Sequence, residues 1–370
     1  MIFLFVVFSE KIDFQKINIK SIPFANLYAE QIRGIYSMQN FIQLPPAPPF
    51  RLFSFEPLLR YTQQRDFKLL NDVPYRCGKE KIEAAEYADL LSAEILLLVA
   101  VRSTCKHVAR RQAIRETWGD ERWLRKKTGH GMRTVFIIGK CRRESDQQKV
   151  GMEMKMHNDL LQFDLEEEMR NLTRKDLLFM QWYLRRCRHV PFVYKGDDDV
   201  FLHTENILRY LTHFVTSEEE RRALAVGFVI KNKLRVTSPW SPYYVSYNLY
   251  PLDRYPDYLS GTGQIFSGHV IKMIFKASFK ERIHPMDDAF IGTLLARAGV
   301  APRHDYRFRM WGLEKNGLNW TICNIDRQFL VTFPDVKDNW KRWMDFDGFI
   351  VDEIYKVWNM YATLDRSTCY

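Results

Sequence analysis

Residues Val193 to Leu202 read Val-Tyr-Lys-Gly-Asp-Asp-Asp-Val-Phe-Leu. An apolar run, Pro191 to Tyr194, leads into three carboxylates, and apolar residues resume at Val200. Alternate residues of an extended backbone face the same side, so Asp197 and Asp199 are expected to point together. Two anions confined at the end of a buried strand repel each other, which costs free energy unless a cation lies between them. Oxygen donors with no Cys or His beside them suit Mg2+ or Mn2+, ions that arrive with substrate phosphates. An Asp triplet can also be an acidic turn in solvent, but the apolar flanks favour a metal–diphosphate site.

Two later segments could complete such a site. Ser260-Gly261-Thr262-Gly263 would let backbone approach a ligand without interference from a Cβ, although a plain loop is the better reading of so common a pattern. Pro285-Met286-Asp287-Asp288-Ala289-Phe290-Ile291-Gly292 opens a helix that continues through Leu294, Leu295 and Ala298. Acids at a helix start complement its dipole, which accounts for Asp287. Asp288 is surplus to that role and stands open between cap and general base. The helix's positive end is expected to keep it ionised, as a base beside a substrate hydroxyl must be.

These residues need a scaffold. Ile95 to Val101 is an unbroken apolar run, as a strand buried on both faces would be. Thr134 to Ile138 is a second such strand, ending at Gly139, Leu160 to Phe163 a short third, and Pro191 to Tyr194 leads into the triplet. Helical character falls on Arg110 to Trp118, on a segment capped by Thr173 and reaching Cys187, and on Glu205 to Phe214. Alternating strands and helices predict an α/β domain with a largely parallel sheet, where ligands sit at the carboxyl ends of strands. The acidic triplet falls at such an end.

The chain has 370 residues and 46% hydrophobic content, enough for a sizeable core. Residues 1–75 read as a stem, with a proline-rich run from Leu44 to Phe50, and 76–370 as the catalytic domain. The net charge of +10 is spread out, with no zinc-finger, RRM or KH pattern, so a solvated basic face is expected and a nucleic-acid partner is not. The six cysteines form no Cys-x-x-Cys pair, and up to three bridges are possible, of unread pairing. Sequons at Asn171 and Asn319 lean toward a secretory route. Ile2 to Phe8 is apolar, but seven residues cannot span a bilayer, which needs about 20. That start reads as a truncated anchor, a gene-model artefact or a strand.

Taken in order, five segments resemble the β-1,3-glycosyltransferases of family 31. They are Arg110-Arg-Gln-Ala-Ile-Arg-Glu-Thr-Trp-Gly119, Asp159-Leu-Leu-Gln-Phe-Asp164 with Asn171-Leu-Thr-Arg-Lys175, Lys195-Gly-Asp-Asp-Asp-Val-Phe201, Tyr255-Pro-Asp-Tyr-Leu-Ser-Gly-Thr-Gly263, and Asp287-Asp-Ala-Phe-Ile-Gly292. Order and spacing agree over roughly residues 94 to 330. The resemblance implies a GT-A-like catalytic domain, a UDP-sugar donor (UDP-GlcNAc or UDP-Gal), Mn2+, a glycan acceptor on glycoprotein or glycolipid, and transfer with inversion to a β-1,3 linkage. It also implies roles. Asp199 would ligate the metal, Asp197 would face the uridine ribose, and Asp198 would support the loop. Asp288 would deprotonate the acceptor's 3-hydroxyl. Arg111, Arg115 and Lys175 would serve the donor site or its scaffold, and Gly261 and Gly263 would flank the donor sugar. Lys195-Gly-Asp-Asp-Asp-Val-Phe resembles the N-acetylglucosaminyltransferase branch and Ser260-Gly-Thr-Gly the galactosyltransferase branch, with a lean to the former.

The sequence departs from the family at one metal ligand. Where members carry a His, about nine residues after the counterpart of Cys323, the alignment places Thr332. The gap would be filled by water or donor oxygens, or by His304, or activity would be lost. The last case is the alternative reading, a catalytically impaired relative that binds glycans or acts as a chaperone. Family members are Golgi membrane proteins with a lumenal catalytic domain, so a Golgi location with an N-terminal membrane anchor is the expectation from kinship.

Overall fold

The computed structural model describes residues 63–77, 94–310, 321–333, 346–363 and 369. The strands are β1 (Leu69–Asn71), β2 (Ile95–Arg102), β3 (Gly131–Lys140), β4 (Leu160–Glu166), β5 (Phe192–Asp197), β6 (Val200–Leu202), β7 (Ala225–Ile230), β8 (Tyr258–Ser267), β9 (Arg303–His304), β10 (Phe308–Arg309) and β11 (Leu330–Thr332). The helices are α1 (Val108–Glu116), α2 (Glu121–Thr128), α3 (Glu144–His157), α4 (Leu172–Arg186), α5 (Thr204–His213), α6 (Glu218–Ala223), α7 (Gly268–Ser278), α8 (Asp287–Ala298), α9 (Ile322–Asp326) and α10 (Phe346–Ala362).

The main sheet has the order β1-β4-β3-β2-β5-β8-β7-β9. Its middle block, β4-β3-β2-β5, is parallel, while β1 and β8 pair antiparallel to either side of it. This is the expected α/β architecture. β2 shows why its run is unbroken. Leu97, Val99 and Val101 face one core with α1 and α10, and Ile95, Leu98 and Ala100 face a second with α4, α7 and α8. Both faces are covered, so neither can be polar.

Several boundaries moved. The stretch read as a stem contributes β1, which pairs with β4, and Cys77 is bonded to Cys187, so the folded unit takes in residues 63–77. A three-residue strand carries no periodic signal of its own. Residues 1–62, with the Ile2–Phe8 segment and the proline-rich run, lie outside the described residues. Ser260 to Gly263, read as a loop, is the middle of β8, because Gly263 pairs with Gly196 and lets the Tyr194 ring lie against it. Thr173 is not the cap of α4; Asn171 occupies that position, and the Thr173 hydroxyl donates to the carbonyl of His284 at 2.7 Å. No described helix is long and apolar enough to cross a membrane.

Candidate active site

The register of the sheet builds the site. Arg102, the last residue of β2, stands beside Asp197, the last residue of β5. Its guanidinium Nε donates to Asp197 at 2.8 Å, and Nη2 donates to the Gly261 carbonyl on β8 at 2.9 Å. Nη1 pairs with Asp287 in the first turn of α8. One buried cation therefore ties together the triplet, the glycine strand and the acidic helix. A Cβ on Gly261 would lie 3.3 Å from Arg102 and 3.4 Å from Asp287, so glycine here admits the contact.

The backbone bends at Asp198–Asp199, so the expected alternation fails and the three acids take separate environments. Asp197 rests on Arg102, yet burial outweighs that cation and, with Asp199 and Asp287 nearby, pushes its carboxyl up to about 7. Asp198 is buried and turned inward. It accepts from Ser103 Oγ at 2.6 Å, lies 2.8 Å from His107 Nδ1, and accepts from Arg110 at 3.0 Å. Burial opposes its ionisation, yet these partners hold it below the usual carboxylate range. Asp199 pairs with no cation among the described residues. Burial, then the charge of Asp198, push it up. Of the three, only Asp198 is held low by its partners; Asp197 is raised although it has a cation, and Asp199 is raised with no ion pair among the described residues.

The acids of α8 divide the same way. Burial would raise Asp287, but Arg102 and then Lys195, 3.8 Å away, outweigh it and hold it down. Among the described residues, Asp288 accepts a hydrogen bond only from the amide of Ala289, at 2.7 Å. Burial and the neighbouring Asp287 push its carboxyl up to about 7, so the expectation that the helix end keeps it fully ionised is corrected. Asp287 takes the cations, and the dipole alone is too weak to offset burial.

The other predicted residues form scaffold. Arg111 is fully buried on Glu153 at 2.6 Å and on Ser103 Oγ at 2.9 Å. Arg115 pairs with Asp159 and Glu153, each at 2.7 Å, over the Phe136 ring. Lys175 holds Glu167 at 2.7 Å and the Ser103 carbonyl at 3.0 Å. Arg111 and Lys175 thus hold the loop of Ser103, whose hydroxyl donates to Asp198, and Arg115 shares Glu153 with Arg111. Gly263 faces Tyr194 and Leu330 rather than the acids. The Cys105–Cys141 bond ties the same loop to the end of β3, and Cys323–Cys369 completes three bridges. The sequon at Asn171 is unsuited to a glycan, because the residue is buried and its amide donates to the Glu166 carbonyl at 2.8 Å. Asn319 lies outside the described residues.

Thr332 sits opposite Val200, one residue from Asp199, as the alignment required. Its hydroxyl is turned to the carbonyls of Met310 and Arg309, at 2.9 and 3.2 Å. His304 cannot replace the absent imidazole. It lies on β9, three strands from β5 or about 14 Å across the sheet, and its Nδ1 accepts from the Val229 amide. Among the described residues no three His, Cys, Asp or Glu gather into a ready-made metal site. Asp199 instead fits the mode in which one or two carboxylates and the substrate's phosphates share a Mg2+ or Mn2+ ion.

Sequence reasoning missed Arg102, Ser103, His107 and the Lys195–Asp176 pair buried under Arg102. The signal was present for Arg102. A cation directly after a doubly buried parallel strand lies where ligands bind.

The Galactosyltransferase family profile matches residues 109–306, spanning α1 to the β9–β10 turn. An acetylgalactosaminyl-O-glycosyl-glycoprotein β-1,3-N-acetylglucosaminyltransferase of Homo sapiens is 34% identical over 284 residues, 75% of this chain and 67% of that protein. N-acetyllactosaminide β-1,3-N-acetylglucosaminyltransferase 2 of Homo sapiens is 31% identical over 75% of this chain and 66% of its own length. β-1,3-galactosyltransferase 5 of Gorilla gorilla gorilla is 31% identical over 62% of this chain and 74% of its own. The chain spans about two thirds of the length of the two human relatives. With the profile covering the triplet, β8 and the acidic helix, the chain belongs to the galactosyltransferase family of glycosyltransferases.

Proposed function

We propose that this chain is an inverting β-1,3-hexosyltransferase. It moves N-acetylglucosamine or galactose from a UDP-sugar to the 3-hydroxyl of a glycan acceptor on glycoprotein or glycolipid. The observation that carries this reading is an under-compensated acid in each half of the site: Asp199, which forms no ion pair among the described residues and is pushed up by burial, and Asp288, with its carboxyl pushed up to about 7. The human relatives named above support N-acetylglucosamine as the donor sugar.

Asp288 takes the proton of the acceptor 3-hydroxyl, and a pKa near the working pH suits a general base. The freed oxygen bonds to the anomeric carbon from the face opposite the nucleotide. The bond from that carbon to the diphosphate breaks, UDP leaves, and the centre inverts, as in the inverting arrangement of glycosidases. A Mn2+ ion held by Asp199 would stabilise charge on the leaving diphosphate. Asp197 faces the nucleotide, Asp198 anchors the turn, and Arg102 holds both halves in register. Three disulfides suit an oxidising lumen, in keeping with a Golgi location and an anchor ahead of the described residues.

The test is UDP release from UDP-GlcNAc and UDP-Gal with β-galactoside and N-acetylhexosamine acceptors, with and without Mn2+. Acceptor-dependent, EDTA-sensitive turnover is expected. No turnover across a broad acceptor panel would overturn the reading.

A further inference from the structure

The excursion between β7 and β8, residues 231–257, carries three exposed aromatic side chains within eight residues that the proposed chemistry does not use. Trp240 is 95% exposed, Tyr247 50% and Tyr243 49%, and Leu234 lies beside them in sequence at 54%. Leaving a whole indole in water forgoes one of the larger gains a side chain can make by burial, and grouped exposed apolar side chains mark interaction surfaces. The excursion is also firmly built. Arg235 is buried and donates to the Val245 carbonyl at 2.8 Å and the Leu252 carbonyl at 3.1 Å, with Tyr247 over its guanidinium. Tyr250 packs on Tyr255 with ring centroids 4.7 Å apart.

Its underside rests on the acceptor half of the site. Val245, Tyr250 and Tyr255 form one cluster with Tyr258 and Ala289, and Ala289 directly follows Asp288. The Tyr255 hydroxyl is buried there with no hydrogen-bond partner among the described residues. A bridge joins Val236 to Tyr244, next to Val245. Trp240 is four residues from either end of that bridge, a reach of at most about 14 Å. The chain then returns through Tyr258 to Gly261, which touches Arg102 and Asp287.

We infer that Trp240, Tyr243 and Tyr247 form a stacking platform for the inner sugars of an extended acceptor glycan, beyond the residue whose hydroxyl is attacked. Trp and Tyr offer flat apolar faces with polar edges, which match the C–H face and hydroxyl rim of a pyranose. Pro239, Pro242 and serines lie between the rings in sequence, with Leu234 the exposed aliphatic residue nearby, and the segment's tie to the acceptor half of the site favours a sugar as the occupant. The inference rests on the transferase reading above.

The experiment uses the full chain and a pair of acceptors, a methyl β-galactoside and a tetrasaccharide ending in the same sugar. For Trp240→Ala the tetrasaccharide-to-monosaccharide ratio of kcat/KM should fall by about tenfold, the upper range of one aromatic stack. Trp240→Phe should retain most of that ratio. Independently, tetrasaccharide should shift the tryptophan emission of the wild-type chain to the blue, and Trp240→Phe should lose that shift. An unchanged ratio in Trp240→Ala overturns the platform. So does an unchanged ratio joined with weaker flotation on anionic vesicles, which would assign the patch to a membrane surface. If the wild-type chain transfers to neither acceptor, the transferase reading fails, and the fluorescence titration still judges the platform.

Discussion

The triplet after β5 and the acid pair opening α8 solve the same electrostatic problem in the same way and are left with different tools. Each holds one acid whose charge the protein itself answers, Asp198 on Ser103, His107 and Arg110, and Asp287 on Arg102 and Lys195. Each holds a neighbour that the protein does not answer. Asp199 sits beside two other acids at the end of β5, and on the proposed reading what satisfies it is a cation. Asp288 is buried next to Ala289, a member of the Tyr258 and Met286 apolar cluster, so what satisfies it is a proton. On the proposed chemistry, the difference is that in each row of acids the paired member fixes geometry and an unpaired member reacts or binds.

Substitutions can break this comparison. Asp288→Asn should lower kcat by about a thousandfold, within the range of general-base catalysis, while UDP binding stays as in the wild type. Because the raised carboxyl is a growing stability cost as pH climbs from the usual carboxylate range to about 7, the same variant should melt no lower than the wild type at pH 7. A fully active variant would remove Asp288 from the mechanism. Asp198→Ala should be the destabilising change. Removing a buried carboxylate that Ser103, His107 and Arg110 all hold costs about 3 kcal/mol, seen as a lower midpoint in urea at unchanged slope. Asp199→Ala should leave that midpoint in place and weaken Mn2+-stimulated UDP binding by about a hundredfold.

Smaller effects sharpen the account. Below pH 7 kcat/KM should fall by about tenfold per unit as Asp288 takes up its proton, with the limb absent from the residual activity of Asp288→Asn. Thr332→His, one residue from Asp199 across the β6–β11 pair, should tighten the apparent Mn2+ affinity by up to about tenfold. An unchanged Mn2+ dependence would mean that an imidazole at this place does not reach the ion.

The parallel strands were legible because burial on both faces writes unbroken apolar runs, as in Ile95–Val101. The triplet and Asp287–Asp288 were legible because acids in apolar surroundings stand out. What could not be read was pairing across long sequence distances. Arg111, Arg115 and Lys175 look alike as cations in a string of letters, and only the fold shows them spent on Glu153, Asp159 and Glu167. Arg102 looks like a strand-end residue until the register sets it between two acids 90 residues apart in the chain, Asp197 and Asp287. Asp288's environment was misjudged for the same reason, since the cations that favour Asp287 come from β2 and β5.

The most direct test of the division between answered and unanswered acids is calorimetric titration of UDP, with and without Mn2+, into Asp199→Ala and Asp288→Asn side by side. The account predicts that Mn2+ enhancement of UDP binding is lost in Asp199→Ala and kept in Asp288→Asn. Equal enhancement in both would contradict it.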